Sequence, residues 1–192
     1  IAPDASAYRD ALLTLTDLLY AQGRFAAAIG RLDEFLTLYP ADPDALRAAF
    51  LKADAYRRSA YALRDATPEG VSAAAATAES GVRFRRAAEL YEALLADLQG
   101  RAGAGLSATE ATYARLALFY RGDSLFELNE PDTLRAALAA YRSAAASLVA
   151  DPAALTAEVQ IANVYLRLGE IPEAARAVER ARWVLRGISD QA

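Results

Sequence analysis

The chain of 192 residues has no cysteine, no histidine and no methionine. Disulfides are therefore excluded, and so is any metal site built on thiolate or imidazole. The Glu-x-x-His metal sites of helical bundles fail for the same reason. Tryptophan occurs once, and Lys52 is the only lysine among 21 basic residues. No run of 18 apolar residues occurs, so no direct membrane span is expected. A net charge of −4 gives no basic stripe for a nucleic-acid backbone, and no nucleic-acid partner is expected. Nothing alternates with period two over a strand's length, which points to an all-α fold. The chain opens on Ile1 rather than Met, which suggests a processed product or a piece of something longer.

What is abundant is alanine, about a quarter of all residues. Alanine loses no side-chain entropy in a helix and lets helices approach closely. It is also placed with a rhythm. Thr16-x2-Leu19-x3-Gly23-x4-Ala28-x3-Leu32 is followed by Tyr39-Pro40. Gly122-x2-Leu125-x3-Asn129 leads, after a short insertion, to Ala137-x3-Tyr141. Ala162-x2-Tyr165-x3-Gly169-x4-Ala174-x3-Val178 is the clearest copy. A weaker half-copy has Ala53-x2-Tyr56 and then, after an interruption, Ala87-x3-Tyr91-x2-Leu94.

Local signals place helix boundaries. Asp42-Pro43, Thr67-Pro68 and Asp151-Pro152 each set a capping side chain before a proline suited to the first helical position. Ser107-x-x-Glu110 reads as a capping box, and Gly100 and Gly187 as residues just past helix ends. Four helical hairpins result, 5–22 with 24–39, 43–65 with 68–99, 108–128 with 131–149, and 152–168 with 171–186. Ala28, Ala87, Ala137 and Ala174 fall where paired helices cross, with Leu32, Tyr91, Tyr141 and Val178 as the large partners beside them. Gly23 and Gly169 supply the turns, where positive φ is cheap for glycine.

The second hairpin is elongated. Its phrase lies 69 residues before the third, about two repeat lengths. Either a degenerate repeat lies between them or both helices are about three turns longer than usual. No intervening turn phrase appears, which favours the second. An Ala-rich arm, Val71 to Ala78 opposite Ser59 to Leu63, is expected to project, with Gly81 as a point of kinking. Gln99 to Gly105 reads as a flexible connection, and no polar capping helix follows Arg186.

Self-similarity near 34 residues resembles the tetratricopeptide repeat. The resemblance implies one domain over 1–192, a right-handed α-superhelix (an α-solenoid) with repeats at roughly 5–39, 43–99, 108–149 and 152–186. It also implies a scaffold that binds a protein or peptide segment in a concave groove. Gly23-Arg24-Phe25-x2-Ala28-Ile29-x2-Leu32-x2-Phe35-Leu36-x2-Tyr39-Pro40 further resembles repeats of bacterial envelope proteins, which implies an envelope or periplasmic location. By repeat register, Asp17, Asp54, Asp123 and Asn163 would form a ladder along the groove. Leu13, Phe50, Phe119 and Val159 would make an apolar wall, followed by Tyr20, Arg57, Phe126 and Leu166. Tyr20 and Tyr120 are the expected aromatic anchors, and Arg167 sits beside the fourth-repeat position. Such a surface suits a partner segment with basic and apolar side chains. The competing reading pairs the acidic groups with Arg57, Arg58, Arg121 or Arg167 of neighbouring helices.

The family's clamp for C-terminal carboxylates needs basic residues where Leu13 and Phe50 stand, so that variant is not expected. Arg121-Gly122-Asp123 spells an adhesion tripeptide, yet Gly122 occupies the small packing position of a repeat. No serine has a base in view, no glycine-rich loop follows a strand, and Glu89 and Glu92 have Arg85 and Arg86 on the same helix. No catalysis and no cofactor are expected. An alternative role is a structural subunit that associates through hairpin edges and the Ala-rich arm.

Overall fold

A computed structural model describes residues 5–66, 69–101, 105–146 and 152–189. Among them the chain is all-α, with eight helices and no strand. They are α1 Ala5–Ala21, α2 Phe25–Leu38, α3 Ala45–Asp65, α4 Ala73–Arg101, α5 Ala108–Leu128, α6 Pro131–Ala146, α7 Pro152–Leu168 and α8 Ile171–Ser189. Two compact units, Ile1–Tyr113 and Ala114–Ala192, divide the chain inside α5. In the first, α1 packs on α2, α2 on α3, and α3 on α4; in the second, α6 packs on α7 and α7 on α8.

The turns follow their residues closely. Gly23 (φ 71) and Gly169 (φ 75) are left-handed. Each is followed by a paired hydrogen-bond closure, Gly23 N–H to Tyr20 and Arg24 N–H to Leu19, then Gly169 N–H to Leu166 and Glu170 N–H to Tyr165. These are Schellman caps, which satisfy carbonyls left over at a helix end. Asn129, which stands where the other copies have glycine, takes the same conformation at φ 57. Asparagine is among the few residues that tolerate it.

The N-terminal signals divide. The capping box is made: Ser107 N–H donates to Glu110 at 2.9 Å, and Glu110 N–H donates to the Ser107 hydroxyl at 3.3 Å. These bonds from Ser107, its backbone N–H first, hold the Glu110 carboxyl below its ordinary range. Asp42 accepts the N–H of Asp44 at 2.9 Å, a capping-type bond, and its carboxylate also pairs with Arg9 at 2.6 Å. A turn runs through Asp44, and α3 begins at Ala45. The Thr67-Pro68 signal lies outside the described residues, as does Asp151. Helix α4 starts at Ala73, and Ser72 accepts the N–H of Ala75 at 3.1 Å. Gly100 and Gly187 do not end helices; they lie inside α4 and α8. In α4 an Asp97–Arg101 pair at 2.6 Å spans the glycine.

Ala28, Ala87, Ala137 and Ala174 are all buried, as are Leu32, Tyr91 and Tyr141 beside them. Val178 is a correction, since it is exposed. Helix α8 turns the line Ala174, Ala177, Ala181 inward, which leaves Val178 on its flank. The core of the first unit gathers Leu12, Leu13, Leu32, Phe35 and Ala48. That of the second is built on Leu134, Leu138, Tyr141, Ile161, Val164 and Tyr165.

Only one helix of the second hairpin is extended. Helix α4 has 29 residues, whereas α3 has 21, the same as α5. Gly81 does not interrupt α4. In the Ala-rich part only Ala76 and Ser80 are buried, four residues apart, and the residues around them are exposed. A single buried line of this kind fits a helix that packs on α3 alone. Further along, Tyr61 meets Phe84 edge-on at 4.9 Å, and the Arg64 guanidinium lies over both rings.

Candidate functional site

Three residues expected on the groove of the first unit are withdrawn from solvent. Leu13 is 8 % exposed and belongs to the core. Phe50, also 8 % exposed, packs against the rings of Tyr91 at 5.8 Å and Tyr113 at 5.0 Å. Asp54 is 5 % exposed. The correction has a physical cause: α3 is covered on this side by large aromatic neighbours, and a buried carboxylate persists only with partners.

Asp54 has four of them. Arg57 donates through Nε at 2.8 Å and pairs through Nη2 at 2.6 Å. Arg58 reaches the other oxygen at 3.3 Å and lies over the Tyr20 ring. The hydroxyls of Tyr20 and Tyr91 both donate to the carboxylate, the latter at 3.2 Å. Burial and the bond to Asp54 push the Tyr20 hydroxyl well up from its ordinary value. Tyr91 is raised too, by burial first and then by the Asp54 charge. Burial works against the charge on Arg57, but the attractions and hydrogen bonds of Asp54 and Tyr91 together outweigh it, and the group is held above its usual range. Each shift favours the form already present. Neither Tyr is tuned towards a base, and this centre is a lock between α1, α3 and α4.

The other acidic positions differ. Asp17 is exposed and pairs with Arg47 of α3 at 2.5 Å. Asp123 accepts the Tyr141 hydroxyl at 2.7 Å. Asn163 donates to Gln160 at 2.8 Å. The register positions thus do different work, and two of the four carry an Asp bonded to a Tyr of the returning helix. The signal for this was present in the sequence. In hairpins two and three the Asp after the aligned small residue coincides with Tyr91 or Tyr141 on the second helix. The first and fourth copies have Leu32 and Val178 there, and neither can donate.

Gly122 packs against Tyr141, whose bond to Asp123 makes a second lock, between α5 and α6. A Cβ built on Gly122 would stand 2.7 Å from the Tyr141 ring. The tripeptide Arg121-Gly122-Asp123 is accordingly a packing feature of α5, with Gly122 buried. Phe119 packs edge-on to Tyr141 at 5.5 Å. Tyr120 is half-buried, and its carbonyl accepts the Ser124 hydroxyl at 2.8 Å.

Open surface lies on the second unit. Val159 is 45 % exposed and Leu166 is 53 % exposed. Seven residues apart on α7, they share one face with half-buried Asn163 between them. Beside them the Arg167 guanidinium lies 3.6 Å from the centre of the Phe126 ring and donates to the Phe126 carbonyl at 3.0 Å. The stack fixes Arg167 while leaving it at the surface. Of the expected residues, Tyr20, Asp54 and Arg57 come together in the first unit, and Phe126 with Arg167 in the second. Among the described residues no group of acidic side chains could hold a metal ion, and no helix is long and apolar enough to cross a membrane.

No protein-family model matches this chain, and a search of curated proteins found no match. The tetratricopeptide-like phrase therefore rests on the residues that carry it.

Proposed function

We propose that the chain is a helical-repeat scaffold that binds a segment of a partner protein, with the α7 face of the second unit as one contact surface. The observation that carries the reading is the pair Val159 and Leu166, apolar and exposed on one face of α7. Fixed Arg167 lies beside them. An apolar stripe with a held cation suits a segment that lays down side chains at helical or extended spacing. The sequential packing of neighbouring helices in each unit is compatible with tetratricopeptide-like hairpins, and the right-handed solenoid belongs to this proposal. A photo-crosslinking residue placed at 159 or 166 is expected to give partner adducts in the native source, and one at exposed Glu179 of α8 to give none. Equal adducts from all three positions would defeat the reading.

A second reading, an assembly subunit, is favoured by α8. Ile171, Val178 and Leu185 are all exposed and stand seven residues apart, which puts them on one side of the helix. Under that reading Val178→Glu with Leu185→Glu converts an associated species to monomer in sedimentation equilibrium. An unchanged distribution would remove it.

A further inference from the structure

The first unit has a groove that the tandem phrase does not explain. Two hollows of about 460 Å³ and 450 Å³ share Ala26, Ser59 and Arg83, so they run together between α2 and α4 with α3 as the floor. One end is apolar through Phe25, Ala62, Leu63 and Ala66. The other reaches Ile29, Tyr56 and Val82. Val82 is 63 % exposed, an uncovered apolar side chain at the groove's edge.

The charges along it are one-sided. Arg24, Arg83 and Arg86 line the groove, against Glu79. Arg83 pairs with Glu79 at 2.9 Å, and Arg86 with Glu89 at 2.9 Å. Arg24 has no ion-pair partner among the described residues. With both pairs counted, the cationic excess is the single charge of Arg24, on a chain whose net charge is −4. Arg24 also opens α2 without a side-chain cap, and no acidic residue occupies that helix's first turn. The positive end of the helix dipole is therefore left uncompensated on the same wall.

We propose that the α2–α4 groove of the first unit docks a partner segment that combines apolar and acidic side chains. Apolar residues of the segment fill the hollows beside Leu63 and Val82, and its carboxylates meet Arg24 and Arg86. A basic segment would face unreturned positive charge and is rejected by repulsion. This surface lies on α2, α3 and α4, apart from the α7 face, and the two stand or fall separately.

The test uses the full chain and three fluorescein-labelled helical peptides of equal length. The first has Leu at i, i+4 and i+7 with flanking Glu, the second exchanges Glu for Lys, and the third exchanges Leu for Ser. Fluorescence anisotropy is expected to show saturable binding of the first peptide with a dissociation constant on the order of 100 μM, and at least about tenfold weaker binding of the other two. Arg24→Glu with Arg86→Glu, and separately Val82→Asp, should each weaken the first peptide about tenfold. All three side chains are exposed, and circular dichroism and melting of the variants should match the parent. Val159→Ser with Leu166→Ser should leave this binding unchanged. The proposal is overturned by no saturable binding, by equal binding of the Lys peptide, or by indifference to the groove variants. It is also overturned if loss follows the α7 variants instead, an outcome that would leave the α7 face as the binding surface.

Discussion

At the scale of single residues, the acidic positions that line up in sequence are separated by what surrounds them. Asp54 is buried with two arginines and two tyrosine hydroxyls. Removing it leaves Arg57, itself mostly buried, without its counter-charge, and Asp54→Ala should cost roughly 3 kcal/mol. Asp123→Ala takes one acceptor from a buried tyrosine hydroxyl and should cost roughly 1–2 kcal/mol. Asp17 is exposed and its partner Arg47 half-exposed, and Asp17→Ala should change stability by no more than about 0.5 kcal/mol. Urea unfolding of the three variants checks the order; equal losses would contradict it. Gly122 offers a sharper case. Its substitution by Ala drives a methyl into a fully buried tyrosine ring, at a cost of about 1–3 kcal/mol. Adding Tyr141→Leu to Gly122→Ala should recover part of the loss beyond the effect of Tyr141→Leu alone, a coupling read from a double-mutant cycle. Strict additivity would show that the ring and the glycine do not meet.

Elements were legible to the degree that their signals were local. Helix ends at Gly23 and Gly169, and the capping box at Ser107, depend on residues within one turn, and the structure forms them as the sequence implied. The pairing of Asp42 with Arg9, 33 residues away, was not legible. Burial of Phe50 and Asp54 was hidden for a related reason. It depends on Tyr91 and Tyr113 arriving from other helices, and register alone does not say which face they cover. The Arg9 clamp makes a prediction of its own. Arg9 hydrogen bonds first, and then the Asp44 N–H, hold the Asp42 carboxyl down to about 2, below its ordinary 3.8. A depressed folded-state pKa adds stability above the unfolded value, and that contribution is lost as pH falls through the folded one. Arg9→Gln should therefore be less stable than the parent at pH 6. The gap should close as both are acidified from about pH 4 to pH 2. A gap that persists at pH 2 would mean that Arg9 acts through packing rather than through charge.

At the scale of the whole molecule, the question is how far a local lesion travels. Each helix of the described packing touches its neighbour in sequence, in the order α1 to α4 and again α6 to α8. On the proposed repeat-array reading, stability is close to a sum of units and of nearest-neighbour interfaces, and local opening has its own free energy. The Asp54 lock ties α1, α3 and α4 together, whereas the Tyr141 lock ties α5 to α6. Asp54→Ala should accordingly raise amide exchange in α1 to α4 by about a hundredfold where exchange follows sub-global opening, since roughly 3 kcal/mol corresponds to that factor. Protection in α7 and α8 should stay near the parent's. Gly122→Ala should do the reverse, loosening α6 and its packing on α7 while α1 and α2 hold. Hydrogen exchange read by mass spectrometry, peptide by peptide, separates these patterns. A uniform rise along the chain from either variant would show a single cooperative fold, in which the two locks act on one equilibrium and the additive picture of stacked hairpins fails.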